Sequence, residues 1–188
     1  MSQTTDPRVR WTTADLQRLP DSSNRYEIID GDLLVTKAPH WGHQKAIVKV
    51  CGFLDSWSET TGLGEVVQAP GVLFTDADNV IPDAVWISKA RLATALDEAG
   101  HLTAAPELIV EVLSSGAENE RRDRETKLKL YTSRGVQEYW ILDWRLKQIE
   151  VYCRQTGLLQ LVGTLFAGDS LTSSLLPGFA CDVERLFL

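Results

Sequence analysis

Glu107-Leu108-Ile109-Val110-Glu111-Val112-Leu113 is the stretch on which the fold turns. Five of its seven residues are aliphatic, with no polar alternation, as in a strand covered on both faces. Such strands sit inside sheets flanked by helices. Glu111 breaks the pattern. A carboxylate in the middle of a doubly buried strand is costly unless it is paired or binds a cation.

Upstream, Val80 to Ser88 reads VIPDAVWIS, a second apolar strand, and it carries Asp83. Alternation puts Asp83 on the face of Ile81 and Val85, and Glu111 on the face of Ile109 and Leu113. If the two strands are neighbours, both carboxylates meet at one hard-cation site. Mg²⁺ or Mn²⁺ suits oxygen donors of this kind. The competing reading is that each acid pairs with an arginine or caps backbone amides.

Downstream, Asn119 to Ser133 reads as a charged amphipathic helix stopped near Gly135. With Lys127 at zero on its wheel, Asp123 and Tyr131 lie within about 40° of it, and Leu130 within about 60°. The apolar side is therefore centred near Lys127. Glu125 and Lys129 form an i,i+4 pair on the opposite, solvated face. An inward Lys127 beside carboxylates is placed to polarise a phosphate or steer a water. The bland reading is an Asp123–Lys127 ion pair.

The remaining segments build outward from these three. Thr12 to Leu16 predicts a short capped helix ending near Pro20, and Asp21 to Arg25 a polar loop. Tyr26 to Thr36 (YEIIDGDLLVT) predicts a hairpin turned at Asp30-Gly31. Glu27 opens that hairpin and is either a third site acid or a solvent-facing strand residue. His40 to about Thr60 has helical spacing and ends at Gly62. Val66 to Phe74 reads as a strand broken at Ala69-Pro70-Gly71, and Lys89 to Ala99 as a short helix. Val136 to Leu142, Gln148 to Arg154 and Leu158 to Phe166 read as strands. The tail beyond them is apolar enough to pack on the sheet. His43 lies one helical turn from His40 and either lines the site mouth or packs. No third ligand at metal-site spacing accompanies the pair. No Gly-rich phosphate loop, GxSxG or GxGxxG occurs.

The 188 residues fit one domain, divided in expectation into an N-terminal extension (1–25) and a main body (26–188). The formal charge of −7 argues against a general nucleic-acid coat. Residues 118–134 run against that balance with six basic and four acidic side chains. Arg121, Arg122 and Arg124 there are the best candidates for a phosphate backbone. Cys51, Cys153 and Cys181 are far apart and odd in number, which predicts reduced thiols and a cytoplasmic setting. No apolar leader and no run of about 18 apolar residues occurs, so neither a signal peptide nor a membrane span is expected.

Five pieces occur in one order: YEIIDGDL from Tyr26, IPDAVWIS from Ile81, APELIVEVLS from Ala105, RRDRETKLKLY from Arg121 and GVQEYWILD from Gly135. This ordered set resembles the Uma2 family (DUF820), of the restriction-endonuclease-like PD-(D/E)XK fold. The resemblance implies that Pro82-Asp83 is the PD element and Glu111 the (D/E) element. Leu113 stands where the usual lysine would be, and the resemblance moves that lysine to Lys127. It also matches Glu27 to the acid of the opening hairpin.

The fold expected is therefore α/β, a restriction-endonuclease-like mixed central sheet flanked by helices, with an N-terminal hairpin. The function expected is a Mg²⁺- or Mn²⁺-dependent endodeoxyribonuclease. Asp83, Glu111 and the Val112 carbonyl would hold the ion, Glu27 would support a second ion or orient a ligand, and Lys127 would assist. His43, Asp123 and Tyr131 join Arg121, Arg122 and Arg124 as substrate-side candidates. DNA is the expected partner, and a homodimer is compatible because one small site cuts one strand. Two rivals stand beside this reading. One is a catalytically silent binding or assembly module, favoured by the net charge and the missing EXK spacing. The other is a metal-dependent hydrolase of a small phosphoester.

Overall fold

The computed structural model of the chain describes residues 9–20 and 24–188. The expected extension, 1–25, and its polar loop lie partly outside these residues. Helix α1 (Thr13–Leu16) is closed by Asp15, whose carboxylate accepts from both the N–H and the hydroxyl of Thr12. It is tied to the body where Trp11 N–H donates to Gly31 and Thr13 N–H to Asp76.

Strands β1 (Arg25–Ile29) and β2 (Asp32–Thr36) form the expected hairpin, in register from Arg25↔Thr36 to Ile29↔Asp32. Asp30 and Gly31 both have positive φ (49° and 74°), the turn geometry that matches strand twist. Helix α2 (Trp41–Thr61) follows. His40 caps it through a ring nitrogen that accepts from Gly42 N–H, and left-handed Gly62 ends it.

Two stretches, Val66 to Phe74 with its expected break at Ala69-Pro70-Gly71 and Val80 to Ser88 expected whole, divide between sheets. The first becomes β3 (Gly64–Gln68) and β4 (Val72–Thr75), parted where Ala69 adopts a φ of 50°. The second becomes β5 (Asp78–Val80) and β6 (Ala84–Ser88). Pro82 has no N–H to give a ladder, so the strand stops before it and restarts after Asp83. Asp83 thus stands immediately before β6 rather than inside a strand. The small antiparallel sheet runs β2-β1-β5-β4.

Helix α3 (Lys89–Ala95) ends four residues earlier than expected, because Asp97 turns the chain by accepting from the Ala99 and His101 amides. Strand β7 (Leu108–Val112) is buried at all five positions. After it, the expected single helix is three pieces: α4 (Ala117–Arg121), a π-helical stretch (Arg122–Lys127) and α5 (Leu128–Arg134), ended by left-handed Gly135. Strands β8 (Glu138–Asp143), β9 (Gln148–Gln155) and β10 (Leu158–Phe166) complete the larger sheet, in the order β10-β9-β8-β7-β6-β3. Among the described strands of this sheet only β7 and β8 pair in parallel, and a parallel pair needs a crossover such as this helical segment.

A last hairpin, β11 (Ser170–Thr172) with β12 (Ala180–Asp182), and a 3₁₀ turn (Val183–Phe187) bring the tail back onto the sheet. One face of the large sheet packs on α2 and on Leu171, Leu176, Phe179 and Leu186 of the tail. The other face joins Ile109, Leu113 and Tyr139 to Leu130 and Tyr131 of α5 and to Ile29 and Val80 of the small sheet. Each such aliphatic side chain contributes roughly 1.5–3 kcal/mol on burial, so this two-layer core can hold the polar cluster between the sheets. Among the described residues the cysteines are free thiols, and no helix is long and apolar enough to cross a membrane.

Candidate active site

The site forms where three elements converge. The register Ala84↔Val110 between β6 and β7 runs one step further to bring Asp83 opposite Glu111. The Val112 N–H confirms the closeness by donating to Asp83 Oδ2 at 2.9 Å. The π-helical stretch delivers Asp123 and Lys127 from above, both about 2% exposed, while Lys129 is exposed. Strand β1 adds Glu27 from the small sheet. A wider helical turn of this kind is uncommon and recurs at functional sites.

Lys127 is the hub. Its Nζ lies 2.8 Å from Glu111 Oε1, 3.2 Å from Glu27 Oε1 and 3.9 Å from Asp123 Oδ1. Tyr131 donates its hydroxyl to the same Glu111 Oε1 at 2.7 Å. Glu27 also accepts from Ile81 N–H at 2.9 Å. Tyr139 donates to the Asp123 carbonyl and so pins the π-helical backbone.

Asp83 is held by other groups. Its Oδ1 accepts from Arg25 Nη1 at 2.9 Å, and its Oδ2 faces His43 Nε2 at 3.3 Å as well as the Val112 amide. The arginine pairing weighed for the site acids is thus realised at Asp83. His43 Nδ1 is buried without a partner among the described residues.

Burial works against every charge here, and the outcome differs by site. At Asp83 burial pushes the carboxyl up, but the His43 hydrogen bond and charge, then Lys127 and Arg25, hold it well below the usual range. At Glu111 burial wins over Lys127, and the carboxylates of Asp83, Asp123 and Glu27 add to it, so the carboxyl is pushed up to about 8. Burial likewise raises Asp123. Lys127 is favoured as a cation, because its carboxylates outweigh the cost of burying it.

These residues floor a cleft of about 160 Å³, walled by Arg25, Lys37, Pro39 and Arg122. It continues past Ser114 and Asn119 to Trp144, which stacks on His40 at 4.4 Å. Arg122 bonds Thr36 and flanks Asp123. Arg121 is exposed in a neighbouring groove beside Leu33 and Val35. Arg124 is tied to Glu150 and Glu120 and does not line the cleft. Arg25 and Lys37 were not foreseen. Arg25 had a signal, since it shares a face of β1 with Glu27 two residues on. Lys37 had none to separate it from surface lysines.

The sequence pattern of the Uma2 family, described as "Putative restriction endonuclease", matches residues 13–184. The chain belongs to the Uma2 family. The fold agrees: a "putative nuclease belonging to DUF820" from Anabaena variabilis superposes with a TM-score of 0.75 at 17% identity, over 94% of this Uma2 chain and 97% of that one. The type IIG restriction endonuclease BpuSI is a slighter likeness, with a TM-score of 0.42 at 16% identity, over 81% of this chain and 17% of BpuSI. No curated protein matches this Uma2 sequence.

Proposed function

We propose that this Uma2 protein is an endonuclease that hydrolyses phosphodiester bonds in DNA with the help of Mg²⁺ or Mn²⁺. The observation that carries the reading is the buried Lys127 surrounded by Glu111, Glu27 and Asp123 on the floor of an open cleft, with Asp83 one strand away. Buried titratable groups that perturb one another in a cleft mark a reactive site.

Do these residues suit a divalent ion? Among the described residues no three side chains already stand as a ligand set. The donor chemistry fits nonetheless. The carboxylates are hard oxygen donors, and the crowding that pushes Glu111 up to about 8 is what a dication would relieve. Asp83 and Glu111 Oε2, with the Val112 carbonyl, are the residues that would hold it. The ion would supply a water of lowered pKa and polarise the phosphoryl oxygen.

The protein's own groups do the rest. Lys127 donates toward the phosphate or the attacking water and stabilises the charge that develops there. Glu27 aims Lys127, and Tyr131 fixes Glu111. Arg122 and Lys37 meet the phosphate backbone at the cleft wall. A water oxygen bonds to phosphorus as the bond to the departing sugar oxygen breaks. The proton the water loses is balanced by the one the departing oxygen gains.

The test is nicking of supercoiled plasmid in Mn²⁺ or Mg²⁺ by wild type, Asp83→Asn and Lys127→Met. Metal-dependent nicking by wild type, lost in both folded variants, is the expected result. Nicking that survives in Asp83→Asn sinks this assignment. One observation favours a silent binding module instead: Asp83 and Glu111 both already have protein partners. Wild type that binds no Mn²⁺ would decide for it.

A further inference from the structure

Asp83 presents two oxygens, and the protein treats them differently. Oδ2 is held by the Val112 amide and by His43, both fixed in the core. Oδ1 is held by Arg25 Nη1, which also donates to the Ile81 carbonyl at 3.2 Å. Arg25 differs from Lys127 in one respect that matters. The Lys127 side chain is 2% exposed, whereas that of Arg25 is 28% exposed and lines the cleft wall. A guanidinium there can turn into solvent without carrying its charge through the core. Because Oδ2 stays anchored, exchange at Oδ1 leaves the carboxylate in place.

Resting on the metal-dependent reading above, we infer that Arg25 is a built-in competitor of the divalent cation: its guanidinium occupies Asp83 Oδ1 and must leave when an ion takes that oxygen. Two cations on one carboxylate oxygen repel, which favours occupancy by one at a time. The arrangement has a physical rationale. An ionised carboxylate at 3% exposure needs counter-charge at all times, and Arg25 is the one contact that supplies it at Oδ1 when the cation is absent, beside His43 at Oδ2 and the nearby charge of Lys127. The same contact sets a threshold on cation affinity. Arg122 lines the same cleft but pairs with Asp123 and Thr36 and touches neither Asp83 oxygen, which makes it the matched control.

The test is Mn²⁺ titration by calorimetry without DNA, on wild type, Arg25→Gln, Arg25→Met, Arg122→Gln and Asp83→Asn. Arg25→Gln keeps an amide donor toward the Ile81 carbonyl and covers the case in which Arg25→Met does not fold. Removing a competing charge in direct contact should tighten Mn²⁺ binding about tenfold or more in the Arg25 variants. Removing the more distant charge in Arg122→Gln should change it by less than about threefold. The rise in Tm on adding Mn²⁺ should be larger in the Arg25 variants than in wild type. Equal tightening in Arg25→Gln and Arg122→Gln, or none in either, overturns the inference while the metal reading stands, provided wild type binds Mn²⁺ and Asp83→Asn does not. No Mn²⁺ binding by any variant overturns both.

Discussion

Lys127 Nζ and Glu111 Oε1 lie 2.8 Å apart with both side chains almost wholly removed from water, and Glu27 stands 3.2 Å from the same nitrogen. Removing one partner of such a pair strands the others. Lys127→Met is expected to cost about 3–5 kcal/mol, because it leaves three buried carboxylates without their shared cation. The double variant Lys127→Met/Glu111→Gln should cost less than the two single changes added together. Urea unfolding of the four proteins checks this, and strict additivity would mean the pair is not coupled.

The pH dependence follows from Glu111. Its carboxyl, ordinarily near 4.5, is pushed up to about 8 in the folded chain by burial and by neighbouring carboxylates. Protonated Glu111 therefore favours the fold. That contribution is complete below about pH 4.5 and is lost as pH rises through about 8, amounting to a few kcal/mol. Metal-free protein should thus lose stability across this window, and Glu111→Gln should flatten the curve. Divalent-cation affinity should rise over the same window, since a proton no longer has to be displaced. Thermal melts from pH 4 to 9, with and without Mn²⁺, measure both.

Tyr131 gives its hydroxyl to Glu111 Oε1 at 2.7 Å inside the core. Tyr131→Phe keeps the ring packed against Tyr139 and deletes only that donor. The expected loss is about 1–3 kcal/mol of stability. A variant as stable as wild type would mean that Glu111 is satisfied without it.

Gly42 and Gly52 lie in the same helix, α2, with opposite surroundings. A Cβ on Gly42 would come within 2.4 Å of the Trp144 ring, while one on Gly52 meets nothing within 4 Å. Gly42→Ala must push Trp144 from its stack on His40 and should destabilise by about 1–3 kcal/mol. Gly52→Ala should be neutral or stabilise by up to about 1 kcal/mol, through helix propensity. Thermal unfolding separates the two, and Trp fluorescence reports the displaced ring in the first.

Much of the fold was legible because local pattern and final environment agree. The ELIVEVL run reads as a doubly buried strand, and every residue of β7 is buried. Asp30-Gly31 reads as a hairpin turn and makes one. The helical wheel puts Lys127 inward and Lys129 outward, and their burial is so divided. The misreadings share a cause. Apolar strand segments look alike whether they continue in one sheet or cross to another, so the break at Ala69-Pro70-Gly71 is legible but the change of sheet across it is not, and Val80 to Ser88 reads as one strand. Residue spacing also carries no mark of a backbone bond that skips one residue further, so the π-helical stretch was not seen.

The large-scale order is written along the chain: a mixed sheet with flanking helices, the hairpin, and three charged residues in apolar settings at Asp83, Glu111 and Lys127. These follow from hydrophobic periodicity and turn chemistry, which act over a few residues. Who partners whom depends on the assembled fold. It set Glu27 of the small sheet on Lys127 of the π-helical stretch, gave Asp83 to Arg25 and His43 rather than to Lys127, and tied Arg124 to Glu150 and Glu120 away from the cleft. Such pairings depend on register between strands distant in the chain and on the phase of a locally widened helix. No short-range pattern encodes either, because both are settled only when the two sheets close over a common core.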